Sequence, residues 1–581
     1  MLHRGHKWRG ANAVMHWDEV AYSAYLASLI RGNPRRYDPV SGRGRESNAP
    51  ESLFSIQFVP AYSVALPARW LRLSASTVFI ILAPIAAFTS SLALFWFLWS
   101  LTRDGPFSAT SVLVILGLGT TVAGEGMARH LLNLQYLVPS WISQFVGPNS
   151  LYHLPFLRLY QPAVAFPLFF VVCSLLWISL TRAKQAPAVG WAIAAGLIAA
   201  LLVFSYFYLW TALVAWLVCT GTLWLFLRRD ESKRAMLVFL IVLVCIGAAL
   251  IPYAVMLSHR ATTVDTAQAI VFTHRPDLFR FPEVVALLAL ILIGLGKRCS
   301  ISEWQRPASL VATTFAVTVF VVFNQQLVTG RSLQPFHYQW YIANYCALTS
   351  LVLTAATLRR TKARLRLTNG KLVAVAISAS LWAFGEVWLQ ATLLLEYDSL
   401  IDEGRAVAAR LAELSNSEHI ASSAPVVLAG DFLLADRLPT DAPQSILWAP
   451  RMLVFPGVSE AENRERFWQQ LYYLGYDEKE FRLQLNQLDW NFLTGMFPYS
   501  RLIPVINGNP TPITWDEVQA QPAHYLEYTR GFNRDRASSP PLSYVVVRAD
   551  AKPDYTNLDR WYERDSGERV GPFILYQVKL R

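Results

Sequence analysis

Two neighbouring carboxylates near the start of the chain, Asp18 and Glu19, stand within Met15-His16-Trp17-Asp18-Glu19-Val20-Ala21-Tyr22. A carboxylate held beside a hydroxyl can take its proton, and two together can hold a divalent cation. The pair also has a plainer use. Asp18 can cap a short helix that stops at Gly32 with Pro34 beyond it, and Glu19 then complements the helix dipole. Position favours chemistry, because the pair lies a short amphipathic stretch, 53–73, ahead of the first strong apolar span. Two further segments mix charged, polar and aromatic residues between apolar runs. One, 123–161, carries Glu125, Arg129, His130, His153 and Arg158; the other, 324–340, carries Arg331, Gln334 and His337 among Phe336, Tyr338 and Trp340. The histidines are widely and irregularly spaced, which suits structural or solvated roles better than metal ligation.

These residues have to be positioned by a membrane protein. Of the 581 residues 54% are hydrophobic and only 16% charged, and the mean hydropathy is +0.31. A soluble chain would usually show more charge. Apolar runs of bilayer length lie at 75–101, 162–181, 188–206, 208–227, 235–257, 307–323, 340–358 and 371–392, with shorter ones at 107–122 and 280–296. Alternate connections are basic: Arg103; Arg182 and Lys184; Arg228, Arg229, Lys233 and Arg234; Lys297, Arg298 and Arg306; Arg359, Arg360, Lys362, Arg364 and Arg366. The positive-inside bias puts these in the cytoplasm, and places 1–74, 123–161, 258–279, 324–339 and 393–581 outside. The net charge of +11 therefore reads as orientation rather than as nucleic-acid binding. The five cysteines all lie in or beside apolar stretches without paired spacing, so neither disulfides nor a zinc site is expected.

From 396 the character changes. A charged helix-like run leaves the membrane, and strand-like runs at 426–429, 446–448, 544–548 and 573–578 alternate with helical stretches such as 460–474. The expected fold is a multi-pass α-helical membrane protein of about ten spans with a C-terminal extracytoplasmic α/β domain. Its organisation reads as an outer N-terminal segment, 1–74, a transmembrane domain, 75–395, and a soluble domain, 396–581. Asn-x-Ser/Thr acceptors occur only with Pro in the middle, which suits a bacterial inner membrane. One feature runs against the topology: Arg4, Lys7, Arg9, Arg31, Arg35, Arg36, Arg43 and Arg45 would all sit outside.

The order of acidic pair, amphipathic stretch, many spans and soluble tail resembles the GT-C superfamily of integral membrane glycosyltransferases. The resemblance covers almost the whole length through architecture and the one short motif Asp18-Glu19. It implies an opening transmembrane helix ahead of residue 1, and transfer of a sugar from a polyprenyl-phosphate carrier to a glycan, lipid or protein acceptor at the outer membrane face. Asp18 is then the expected catalytic base, with Glu19 a helper or a ligand, with Asp18, of Mg²⁺ or Mn²⁺. The leaving phosphate calls for cations, which Arg158 and Arg331 can supply bidentately, as each can equally snorkel to lipid headgroups. Glu125, Arg129, His130, His153, Gln334 and His337 complete the expected substrate contacts, amides and aromatic faces reading sugar hydroxyls and rings. O-antigen polymerases and ligases, or a scaffold acting through 396–581, are the alternative readings. A transporter is disfavoured by the scarcity of midspan charge and of any hydropathy repeat.

Overall fold

The computed structural model describes residues 4–16, 18–46, 48–131, 154–182, 184–268, 270–298, 307–361, 368–417, 425–502 and 512–581. Among them, eight helices are long and apolar enough to cross a membrane: Ala75–Thr102, Tyr160–Thr181, Ala186–Val203, Phe207–Leu227, Arg229–Ser258, Ala308–Thr329, Pro335–Leu358 and Asn369–Leu393, with Gly105–Gly117 and Phe281–Gly296 as shorter apolar helices. The chain is a multi-pass helical membrane protein carrying a C-terminal α/β domain. Local sequence sets the helix starts: the Ser74 hydroxyl accepts from the Thr77 N–H (3.2 Å), and Asp104 accepts from Phe107 N–H (3.0 Å) with Pro106 in the first turn. Side chains facing away from the bundle, such as Ile81, Ile85, Phe88 and Leu92, are apolar and exposed, as lipid contact requires. Gly196 lets two spans approach closely, since a Cβ there would meet Cys245 Sγ at 2.7 Å.

Connections gather on two sides. On one, Arg234 donates to the carbonyls of Arg182 and Leu180, each at 2.5 Å. On the other, strand β1 (Ile270–Phe272) pairs antiparallel with β2 (Arg331–Leu333). There the Glu51 N–H also bonds the His259 carbonyl (2.9 Å), and helix Thr262–Ala267 packs on Met452–Val454 and Tyr499–Leu502 of the soluble domain.

That second side also holds the N-terminal basic residues. Arg4 pairs with buried Asp402 (2.6 Å), Arg35 and Arg36 both grip Glu51 (2.7 and 2.8 Å), Arg43 meets Glu462 (2.8 Å), and Arg31 donates to the Pro439 and Thr440 carbonyls. Arg4, Arg35, Arg36 and Arg43 thus stand in ion pairs on that side. The amphipathic stretch 53–73 folds as helices Leu53–Ile56 and Phe58–Trp70, the first opened by a Ser52–Ser55 capping box.

Helix Leu395–Ser417 leads into the soluble domain. Its sheet comprises β3 (Val426–Ala429), β4 (Ser445–Ile446), β5 (Leu542–Arg548), β6 (Tyr562–Arg564), β7 (Glu568–Val570) and β8 (Phe573–Leu580). The order is β4-β3-β5-β8-β6, with β7 on β8; β3 runs parallel to both neighbours and β8 antiparallel to β5. All four β3 residues are buried, as expected of an interior parallel strand covered on both faces. The N-terminal segment joins this domain directly: the Ile446 N–H donates to the Val40 carbonyl (2.8 Å), and Ala21, Tyr25, Phe54 and Ala61 share one apolar core with Val427, Trp448 and Phe455.

Candidate functional site

Asp18 immediately precedes helix Glu19–Ile30, yet its side chain makes no capping hydrogen bond. Its carboxylate turns outward instead. One oxygen lies 2.5 Å from His16 Nδ1 and the other accepts from the Arg158 guanidinium. Arg158 sits in a turn, its N–H on the Leu154 carbonyl (3.1 Å), just before the span Tyr160–Thr181. It is 5% exposed, lies over the rings of Tyr22 (5.6 Å) and Tyr341 (5.3 Å), and also donates to the Tyr341 hydroxyl. Tyr22 is one helical turn from Asp18, so both face the same way. Tyr341 lies in a π-helical turn, Gln339–Ala343, a form often found at functional positions.

Electrostatics divide the two carboxyls. Burial pushes Asp18 upward, but Arg158 and then His16 pull harder, and the carboxyl ends well below its ordinary range. Glu19 is wholly buried. Burial carries it up to about 8 against the pull of Arg158 and of the Met15 N–H, which donates to it at 2.8 Å. Near neutral pH Asp18 is therefore ionised and Glu19 holds its proton, the divergence expected of neighbouring groups with different tasks. The other Glu19 oxygen is buried without a hydrogen-bond partner among the described residues. Arg158 is held more firmly protonated by Asp18 than an ordinary guanidinium, although burial opposes this.

The second polar segment contributes His337 and Gln334. His337 packs edge-on against Tyr208 (4.7 Å) and near Tyr341 (5.6 Å), its Nδ1 buried without a partner among the described residues. Gln334, in a left-handed conformation (φ 35°), accepts from the Tyr208 hydroxyl at 3.0 Å. Arg331 is placed differently: it is exposed on β2, over the Phe272 ring at 5.5 Å. Glu125 and Arg129 form their own buried pair (3.2 Å), Glu125 also engaged by Trp340 and raised by burial to about 8. His130 ends helix Gly126–Leu131, its side chain outside the described residues, as is all of His153 and Trp17.

The structure thus brings Asp18, Glu19, Arg158, Gln334 and His337 into one neighbourhood, with Glu125 and Arg129 adjoining through Trp340. Sequence reasoning did not find His16, Tyr22 or Tyr341. Tyr22 carried a signal in its four-residue spacing from Asp18, whereas the π-helical turn that aims Tyr341 had none. As for a cation, no three His, Cys, Asp or Glu side chains converge among the described residues. The two Asp18 oxygens are engaged by His16 and Arg158.

No family model matches the chain, and no curated protein matches it. Among solved structures it is similar to ArnT from Cupriavidus metallidurans bound to undecaprenyl phosphate, at 12% identity over 99% of this chain and 96% of that one, with a TM-score of 0.46. It is also similar to the archaeal oligosaccharyltransferase AglB from Archaeoglobus fulgidus in complex with an inhibitory peptide and a dolichol-phosphate, at 10% identity over 95% of this chain and 70% of that one, with a TM-score of 0.44.

Proposed function

We propose that this protein is a GT-C-type membrane glycosyltransferase that moves a sugar from a polyprenyl-phosphate carrier to an acceptor hydroxyl at the outer face of a bacterial inner membrane. The observation that carries the reading is the Asp18–Arg158 pair. An uncapped, ionised carboxylate and a buried guanidinium meet between two tyrosine rings where a membrane span begins. Both halves of the transfer find a group there. Asp18 takes the acceptor's proton as its oxygen bonds to the sugar's anomeric carbon; the bond from that carbon to the phosphate oxygen breaks, and the carrier phosphate leaves with the electron pair. Arg158 receives the charge that develops on the phosphate.

The pair is also a safety catch. While Arg158 holds Asp18, the carboxylate is a weak base. A lipid phosphate that draws the guanidinium away restores Asp18 toward its ordinary basicity, so the base is armed only when donor is bound. His337 and Glu19 each present an unpartnered buried polar atom beside the site for hydroxyl recognition. Transfer assays in membranes, using a panel of polyprenyl-phosphate sugars with and without Asp18, test this directly. Absence of transfer by the unaltered protein across the panel would remove the enzymatic reading and leave the scaffold role.

A further inference from the structure

The π-helical turn Gln339–Ala343, which carries Tyr341, is fastened at both ends to one short helix, Gly119–Val122. Gln339 Nε2 donates to the Ala123 carbonyl (2.5 Å), and Asn344 Nδ2 donates to the Gly119 carbonyl (3.0 Å). The two carbonyls are four residues apart, about one turn of an α-helix, whereas the two amides are five residues apart. Residues at that spacing stand one above the other where the backbone bonds run i→i+5, as in a π turn. The extra residue in the turn is therefore what lets both amides reach the same helix. Both side chains are buried, and Gly119 permits the close approach, since a Cβ there would meet the Tyr345 ring at 2.6 Å.

A buried cation fixes the sense of the first fastening. Arg280 donates to Gln339 Oε1 (2.7 Å) while its Nε and Nη2 engage Asp277 (3.0 and 2.6 Å), and the Asn324 side chain holds the Asp277 backbone (2.9 Å). Because the amide oxygen faces a guanidinium, the amide nitrogen is the end turned to the Ala123 carbonyl. Tyr341 stands between the two fastenings. Its hydroxyl accepts from Arg158, and its ring lies 5.3 Å from that guanidinium. We infer, resting on the role given to Arg158 in Proposed function, that Gln339 and Asn344, with Arg280 behind them, are positioning residues. They hold Tyr341 against Arg158 and so set where the lipid phosphate is met.

Binding of undecaprenyl phosphate to the full-length protein in detergent, followed by native mass spectrometry, tests this. Gln339→Met keeps the side-chain length and removes both amide contacts, so lipid binding should weaken about tenfold, the scale of one buried hydrogen bond. Asn344→Ala releases the other end of the turn and carries the same expectation, whether or not the first variant folds. A lowered melting temperature with unchanged lipid binding would make the turn a part of the scaffold only, and overturns the inference. Tyr341→Phe removes the hydroxyl to which Arg158 donates, so adding Gln339→Met to it should cost less than Gln339→Met costs alone. Fully additive losses overturn the route through Tyr341. Arg158→Gln separates the two levels: normal lipid binding by that variant removes the phosphate site itself, whereas a loss there with unchanged binding by Gln339→Met and Asn344→Ala removes only the positioning role.

Discussion

Arg158 and Arg331 are the same residue type at the same membrane face, yet they stand in opposite circumstances. Arg158 is nearly sealed, sandwiched between Tyr22 and Tyr341, and fixed by Asp18. Arg331 lies exposed on a two-stranded edge with one ring, Phe272, beneath it. A guanidinium already desolvated and oriented has little entropy left to lose on meeting a phosphate, whereas an exposed one must give up both hydration and freedom. On the proposed function, preorganisation, more than charge, is what separates Arg158 from Arg331.

The sharpest way to break this comparison is to remove what Arg158 holds. Asp18→Asn keeps size and charge-neutral hydrogen bonding, and should lower transfer by about 10² to 10⁴ at normal protein level. Wild-type activity in that variant would end the assignment. Next, Arg158→Ala should weaken binding of undecaprenyl phosphate on the order of 10- to 100-fold, the range expected when a buried, hydrogen-bonded charge is truncated. Equal binding would return Arg158 to the anchor role it shares with Arg331.

Glu19 offers a test through pH. Its folded-state value of about 8 lies above the ordinary 4.5, so between these limits the folded protein holds a proton that the unfolded chain has released. Its contribution to stability is complete below 4.5 and lost as pH rises through 8. Thermal unfolding in detergent should show Glu19→Gln flattening that decline, with the largest gain over the unaltered protein at the alkaline end. An unchanged profile would show that Glu19 is ionised throughout. The smallest effect is expected at Arg331→Ala, where lipid binding should change by less than about twofold, as for other solvent-exposed charges. A loss comparable with that of Arg158→Ala would mean that burial is not the distinguishing factor.

Much of this was legible in the sequence, for reasons that differ by region. The spans were readable because an apolar run of bilayer length has few alternatives, and even the short helices Gly105–Gly117 and Phe281–Gly296 fall on the weaker runs at 107–122 and 280–296. In the soluble domain, β5 and β8 extend the runs at 544–548 and 573–578, while the run at 446–448 forms only the two-residue strand Ser445–Ile446. There Trp448 leaves the sheet edge to donate to Asn463 (3.0 Å), a tertiary choice that period-two patterning does not encode. At the site, Asp18 was conspicuous by type and place, but cap and catalytic readings have the same local sequence. Only the arrival of Arg158, 140 residues away, separates them.

The straps that tie the N-terminal segment to the soluble domain also order events in time. Residues 11–15 are translated long before the groups that hold them, Asp402, Asp398 and Gln390, the last of which lies in the span Asn369–Leu393. Contacts of such sequence separation close late. The acidic motif therefore stays untethered while the bundle inserts, so a partly synthesised chain carries the residues of the candidate site without their arrangement.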